Sequence, residues 1–194
     1  MATPDGVVMG LDLGSRVAWA YGLPNGKPRS GAFDARERNR PMWEASNKLG
    51  DKLEYLFEVK DGKYRPRLLV FERPYIAGQK HAQVADLMVS MGAIVHFMCS
   101  RYAVECVEVS APTVAKFCLD KGRWTKEEGG RAAKKLATQN WAQKMDLLSE
   151  DEVGDVDKAD ACMLWYYACH AVFKAPVKEL FMFGEEPDDL YEEA

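Results

Sequence analysis

The sequence predicts an α/β domain: a mixed five-stranded sheet, three antiparallel strands first and parallel strands after them, with helices on both faces. Three observations predict it. Short apolar runs, at residues 7–13 and 68–72 above all, are too short for helices and read as buried strands. Elsewhere apolar residues recur at three- and four-residue spacing, as a helix packed on one side requires. The strands cluster at the N-terminus and then alternate with helices, in the order βββ-α-β-α-β-α-α-α, and no repeat or linker interrupts them.

Each element follows from its residues. Residues 7–13, Val-Val-Met-Gly-Leu-Asp-Leu, form a nearly continuous apolar strand that ends at Gly14-Ser15. Residues 17–22 form the second strand of a hairpin. Pro24-Asn25-Gly26 marks the turn toward a third strand near 30–33. Met42, Ala45, Leu49, Leu53, Leu56 and Phe57 set a helix over 41–58, closed by Asp61-Gly62. Residues 68–72, Leu-Leu-Val-Phe-Glu, are a fourth strand stopped by Pro74. From 79 to 101 runs a helix that is apolar on almost every side, so that one side covers the sheet and another awaits a second partner. A fifth strand at 104–109 is followed by a short helix at 111–119 after Pro112, a loop at Gly122 and Gly129-Gly130, and helices over 131–145 and 157–173.

At 194 residues the chain has the length of one domain, read as 1–184, with a separate acidic tail at 185–194 that is expected to be disordered. No stretch reaches the roughly 18 consecutive apolar residues of a membrane helix, and MATPDGVV lacks the basic and apolar regions of an export signal. A soluble protein with no membrane partner is expected. The five cysteines are odd in number and form no CxxC pair, which argues for reduced thiols in a cytoplasm rather than a disulfide framework or a thiolate zinc site. The formal charge of −4 conceals an asymmetry. Six acids lie in the tail; without them 24 acids face 26 basic residues. Residues 116–135 carry Lys116, Lys121, Arg123, Lys126, Arg131, Lys134 and Lys135 against three acids, a basic segment suited to phosphates.

The acids inside apolar elements are the sharper signal, because a buried ionised carboxylate costs several kcal/mol unless it is paired or holds a metal. Asp12 lies within the first strand and Glu72 ends the fourth. In the last helix, Asp157 and Asp160 fall on the stripe with Ala161, Leu164 and Ala168 that should pack on the sheet, and Asp155 is better placed to cap. One such acid reads as a cap or an ion pair. Four together read as oxygen donors for a hard cation, Mg²⁺ or Mn²⁺, and the scattered His81, His96 and His170 do not suggest zinc. Two such ions in one site serve phosphodiester hydrolysis.

With these residues in view, the chain resembles the RuvC family of Holliday junction resolvases, in the RNase H-like superfamily, and within it a phage-type member. MGLDLGSRVAWAYG is similar to the family's first strand and hairpin, VFERPY to its fourth-strand motif, and VDKADACMLWYYA to its terminal helix. The resemblance spans residues 7–173. It implies an RNase H-like fold and a catalytic set of Asp12, Glu72, Asp157 and Asp160 holding two Mg²⁺ or Mn²⁺ ions. Lys116 and either Lys134 or Lys135 match basic residues near the scissile phosphate. Tyr75 matches an aromatic at the junction centre, and Arg73 with the 116–135 cations would contact DNA. The implied activity is resolution of four-way junctions by paired incisions of a homodimer, in a bacterial or phage-infected cytoplasm, with the 79–101 helix as the seam. The sequence departs from the family in its acidic tail and in the longer 119–130 loop. An RNase H- or integrase-like nuclease acting on other branched DNA or on RNA–DNA hybrids, and a junction binder without catalysis, remain open. Actin-like and sugar-kinase ATPases lack support, because VGDVDKADA offers neither their second phosphate loop nor a glycine-rich nucleotide segment.

Overall fold

The computed structural model describes residues 6–37, 40–58, 65–74 and 82–174. Five strands form one sheet in the order β3-β2-β1-β4-β5. β1 (Val8–Asp12), β2 (Arg16–Gly22) and β3 (Arg29–Asp34) are antiparallel neighbours, whereas β1, β4 (Leu68–Glu72) and β5 (Glu105–Val109) run parallel. Parallel strands need crossover connections, and the helices α1 (Met42–Glu58) and α2 (Ala82–Arg101) stand in those positions. This is the predicted mixed sheet with helices on both faces.

The alternation of side chains along each strand divides the core in two. Met9, Leu11, Val17, Leu69 and Phe71 point to one face, where Leu49, Leu53 and Phe57 of α1 and Leu87, Met91 and Val95 of α2 cover them. Val8, Ala18, Ala20, Leu68 and Val70 point to the other, beneath α5 (Val156–Tyr167) and the flanking α3 (Ala111–Leu119) and α4 (Gly130–Lys144). On that second face α5 lies directly against β1. A Cβ at Gly10 would run into the Trp165 backbone nitrogen and the Ala161 carbonyl oxygen, so only glycine admits the helix. Enclosed this way, Ala159 and Ala161–Tyr166 are all buried.

Three details differ from the sequence expectation. The helix expected over 157–173 is α-helical only to Tyr167; Ala168–Val172 widens into a π turn, with the Phe173 N–H bonded to the Ala168 carbonyl at 2.8 Å. A 3₁₀ turn at Glu150–Glu152 was not anticipated, because its stability comes from the Ser149–Glu152 capping box and from distant partners rather than from periodicity. α2 is less two-sided than its composition suggests: contacts with the sheet and with α1 occupy Leu87, Met91, Ile94 and Val95, leaving Val89 and Phe97 exposed, at 46% and 61%. By length and composition α2 could cross a membrane, but its apolar side already packs in the protein core. His81 and the 185–194 tail lie outside the described residues.

Candidate active site

Strand parity aims two acids at the α5 face. Asp12 follows Val8 and Gly10 on that side of β1, and Glu72 follows Leu68 and Val70 on β4. The parallel register runs from Val8 opposite Leu68 to Leu11 opposite Phe71, so Asp12 and Glu72 occupy the next rung, at the carboxyl ends of adjacent strands. That end of a parallel sheet is where α/β proteins place their sites. α5 begins above it and brings Asp157 and Asp160.

These acids lie close enough to one another to interact electrostatically. Burial pushes the Asp12 carboxyl well above the usual carboxylate range, and repulsion from Asp160, Glu72 and Asp157 pushes it further, while Lys134 opposes the shift. Glu72 is raised by burial and by Asp160, against Lys134 and Arg131. Asp160 is raised by burial and by Asp157, against Lys134, Lys135 and Arg131. Lys134 Nζ lies 3.9 Å from Asp160 Oδ1. Among those residues no three acid, histidine or cysteine donors close into a ready coordination shell as the side chains stand. The donor set is nonetheless all oxygen, crowded and carrying more negative charge than Lys134 offsets, which suits a hard divalent cation.

The predicted cations divide by position. Lys134, Lys135 and Arg131, on the first turns of α4, face the acids. The Lys116 ammonium instead donates to the Asp120 carbonyl at 2.7 Å and caps its own helix, where Asp120 turns left-handed at φ 56°. Lys121 is bonded to Glu128 at 2.6 Å and lies over the Trp124 ring, while Arg123 and Lys126 are exposed in the same loop. Arg73 donates to Glu108 at 3.0 Å, and Glu108 also meets His96 at 2.8 Å. Tyr75 lies outside the described residues.

Arg16 is the residue that sequence reasoning missed. Its Nη1 donates to Asp157 Oδ2 at 2.7 Å and to Asp155 Oδ1 at 2.8 Å, and its Nη2 donates to Asp155 Oδ2 at 2.7 Å. Parity was the available signal: Arg16 shares the α5 face with Ala18 and Ala20, so a cation there must find an acid above the sheet. Asp155 caps α5 as predicted, accepting from the Lys158 N–H at 3.3 Å, and the Arg16 bond holds its carboxyl below the usual range.

A cavity of about 850 Å³ lies elsewhere, between β3 and α1, lined by Trp19, Phe33, Leu53 and Tyr55 with Lys27 and Arg29 nearby; none of the four acids borders it. The acids are instead half-buried at the strand ends.

No family model matches the sequence, and neither does any curated protein sequence. Solved structures do match in shape. Thermus thermophilus RuvC aligns over 85% of this chain and 95% of its own at 15% identity and a TM-score of 0.56. The same protein in complex with a Holliday junction substrate aligns over 88% and 98% at 14% identity and a TM-score of 0.59. The yeast mitochondrial Holliday junction resolvase Ydc2 aligns over 90% and 82% at 13% identity and a TM-score of 0.56. The likeness covers 85–90% of this chain, which has the RNase H-like fold seen in the RuvC-type Holliday junction resolvases.

Proposed function

We propose that this chain is a divalent-metal-dependent endonuclease that resolves four-way DNA junctions. The observation that carries the reading is the gathering of Asp12, Glu72, Asp157 and Asp160 at the carboxyl ends of β1 and β4, beside Lys134, in a fold shared with resolvases. The four carboxylates would hold Mg²⁺ or Mn²⁺, two ions per site. Bound there, such ions lower the pKa of a water and stabilise a leaving 3′ oxygen.

The chain's own residues do the rest. Asp12, Glu72 and Asp160 supply the negative charge that draws cations to the strand ends, and the α5 backbone over Gly10 keeps their separation fixed. Lys134 offsets charge growing on the phosphate, with Lys135 and Arg131 one turn or less away. Lys121, Arg123 and Lys126, in the loop before α4, and Arg73 beyond Glu72 extend a cationic track for the phosphates on either side of the cut. Lys116, engaged with its own helix end, is assigned to that track rather than to the reacting phosphate. Tyr75, one residue past Pro74, supplies a ring for stacking at the crossover.

Paired incisions in a near-symmetric junction require two sites in one closed assembly. The exposed Val89 and Phe97 of α2, rather than the packed Ile94, supply an apolar stripe for a homodimer seam. Synthetic four-way, three-way and linear DNA incubated with protein and Mg²⁺, with the products mapped, tests the whole reading. Symmetric nicks in the four-way substrate, absent with EDTA, are expected. Equal cutting of linear DNA or of RNA–DNA hybrids would move the protein to another nuclease class. Tight binding without nicks in any metal would make it a junction binder, and a monomer by light scattering at micromolar concentration would remove the paired incisions.

A further inference from the structure

The N-terminus of α5 is held more tightly than a helix end requires. Asp155 alone satisfies the cap, through the Lys158 N–H. Both of its oxygens also receive Arg16, fork on fork, at 2.8 and 2.7 Å, and the same guanidinium spends a third hydrogen bond, 2.7 Å long, on Asp157 Oδ2. These partners lie 139 and 141 positions apart in the chain. Arg16 opens β2, directly after the turn that leaves Asp12, so one side chain joins the hairpin bearing Asp12 to the helix bearing Asp157 and Asp160. Glu152 steadies the same segment from the other side, accepting from Lys158 Nζ at 2.7 Å and from Ser30 on β3 at 2.9 Å.

We infer that Arg16 is a positioning residue of the candidate site: it turns Asp157 Oδ2 toward β2, leaves Oδ1 as the oxygen offered to the acid cluster, and sets the separation between Asp12 and the acids of α5. No hydrogen bond engages Oδ1 among the described residues, so its direction is fixed through Oδ2. The inference rests on reading the four acids as a cation site. It makes Asp157 a one-oxygen donor held in advance, in the way that partners behind a ligating carboxylate orient it. Lysine cannot substitute, because one ammonium cannot span both oxygens of Asp155 and reach Asp157 as the planar fork does.

Charge alone predicts the opposite of positioning, which makes the test decisive. Deleting a cation beside four acids should tighten divalent binding if Arg16 acts only through its charge; losing the fixed Asp157 should weaken it. Mn²⁺ alone, titrated into the full chain without DNA and followed by the electron paramagnetic resonance of the free ion, reads this directly. Arg16→Gln is expected to weaken Mn²⁺ binding about 10-fold, the low end of the loss found when an outer partner of a ligand is removed. Arg16→Lys should be weakened nearly as much despite keeping the charge, and Asp155→Asn, which loosens the anchor without touching Asp157, by less. Equal or tighter binding in Arg16→Gln overturns the inference. Should Arg16→Gln lose its cooperative melting transition, Arg16→Lys decides by the same criterion. A wild type that binds no Mn²⁺ sinks the four-acid reading itself and the inference with it, a result distinct from wild type and Arg16→Gln binding alike.

Discussion

Beneath α1 and α2 the sheet meets large side chains, Leu49, Leu53, Phe57, Met91 and Val95 against Met9, Leu11 and Phe71, all fully buried. Beneath α5 the same strands present Gly10, Ala18 and Ala20, then Asp12 and Glu72 at their ends, and the helix backbone rests almost on the strand. The first face is filled by side chains and can be argued from volume. The second is filled by backbone proximity, and its polar end is occupied by like charges that oppose folding. One face holds the chain together; the other spends part of that stability to keep three raised-pKa carboxyls within reach of one another.

The largest expected effect separates the two faces by function. Asp12→Asn or Asp160→Asn should lower junction cleavage about 10³-fold, the scale of losing a principal charge-stabilising group, while junction binding persists. Because the substitution also relieves repulsion in a buried cluster, the melting temperature in EDTA should stay level or rise. A variant that cuts at the wild-type rate removes that acid from the site, and one that melts well below wild type shows that the acid supports the fold instead.

Next in size are paired core substitutions of opposite sense. On the α1 face, Leu53→Ala leaves a cavity and should cost about 2–5 kcal/mol, with cleavage per folded molecule unchanged. On the α5 face, Gly10→Ala adds one methyl where backbone stands, and should cost about 1–3 kcal/mol while also reducing cleavage, since α5 must retreat from Asp12. Urea unfolding followed by single-turnover cleavage checks both. A Gly10→Ala protein with normal stability would mean that α5 slides freely, and the contrast between the faces would fail.

Much of this was legible in the sequence, and the misses have a common cause. Strand positions came from apolar runs, and β4 has the predicted bounds, Leu68–Glu72, because its run is continuous and Pro74 ends it. The four acids stood out because carboxylates are rare in apolar stripes. What escaped needed partners far along the chain. Arg16 reads as an ordinary strand-end cation until Asp155 and Asp157 lie above it, and the 150–152 turn is tied to Ser30 of β3, 122 positions away. The widening of α5 at Ala168 likewise has no periodic signature, because the residues keep a helical pattern on both sides of it.

The smallest expected effect is a pH dependence with opposite signs at the two ends of the α5 N-terminus. Asp12, Glu72 and Asp160 bind a proton more tightly folded than unfolded, burial being the first cause. The stability they lend is therefore complete below the ordinary carboxylate pKa, about 4, and is lost as pH rises through their raised values. Glu152 works the other way: burial opposes its charge, but bonds from Lys158, Ser149 and Ser30 hold its pKa at about 2, and Asp155 is lowered by Arg16. Their stabilisation is present above the ordinary range and fades as pH falls toward 2. Relative to Asp12→Asn measured alongside, metal-free protein should then melt about 2–4 °C higher near pH 5.5 than at pH 8 and keep that difference at lower pH, while both proteins lose stability below about pH 4 as Asp155 and Glu152 take up protons. Mg²⁺ should flatten the high-pH side, because a divalent cation relieves the same repulsion that the proton does. Thermal melts in EDTA and in Mg²⁺ across pH 3–9 decide it. Identical pH slopes for wild type and Asp12→Asn would show that the acids at the ends of β1 and β4 do not repel one another in the folded chain, and the charged face would lose its cost.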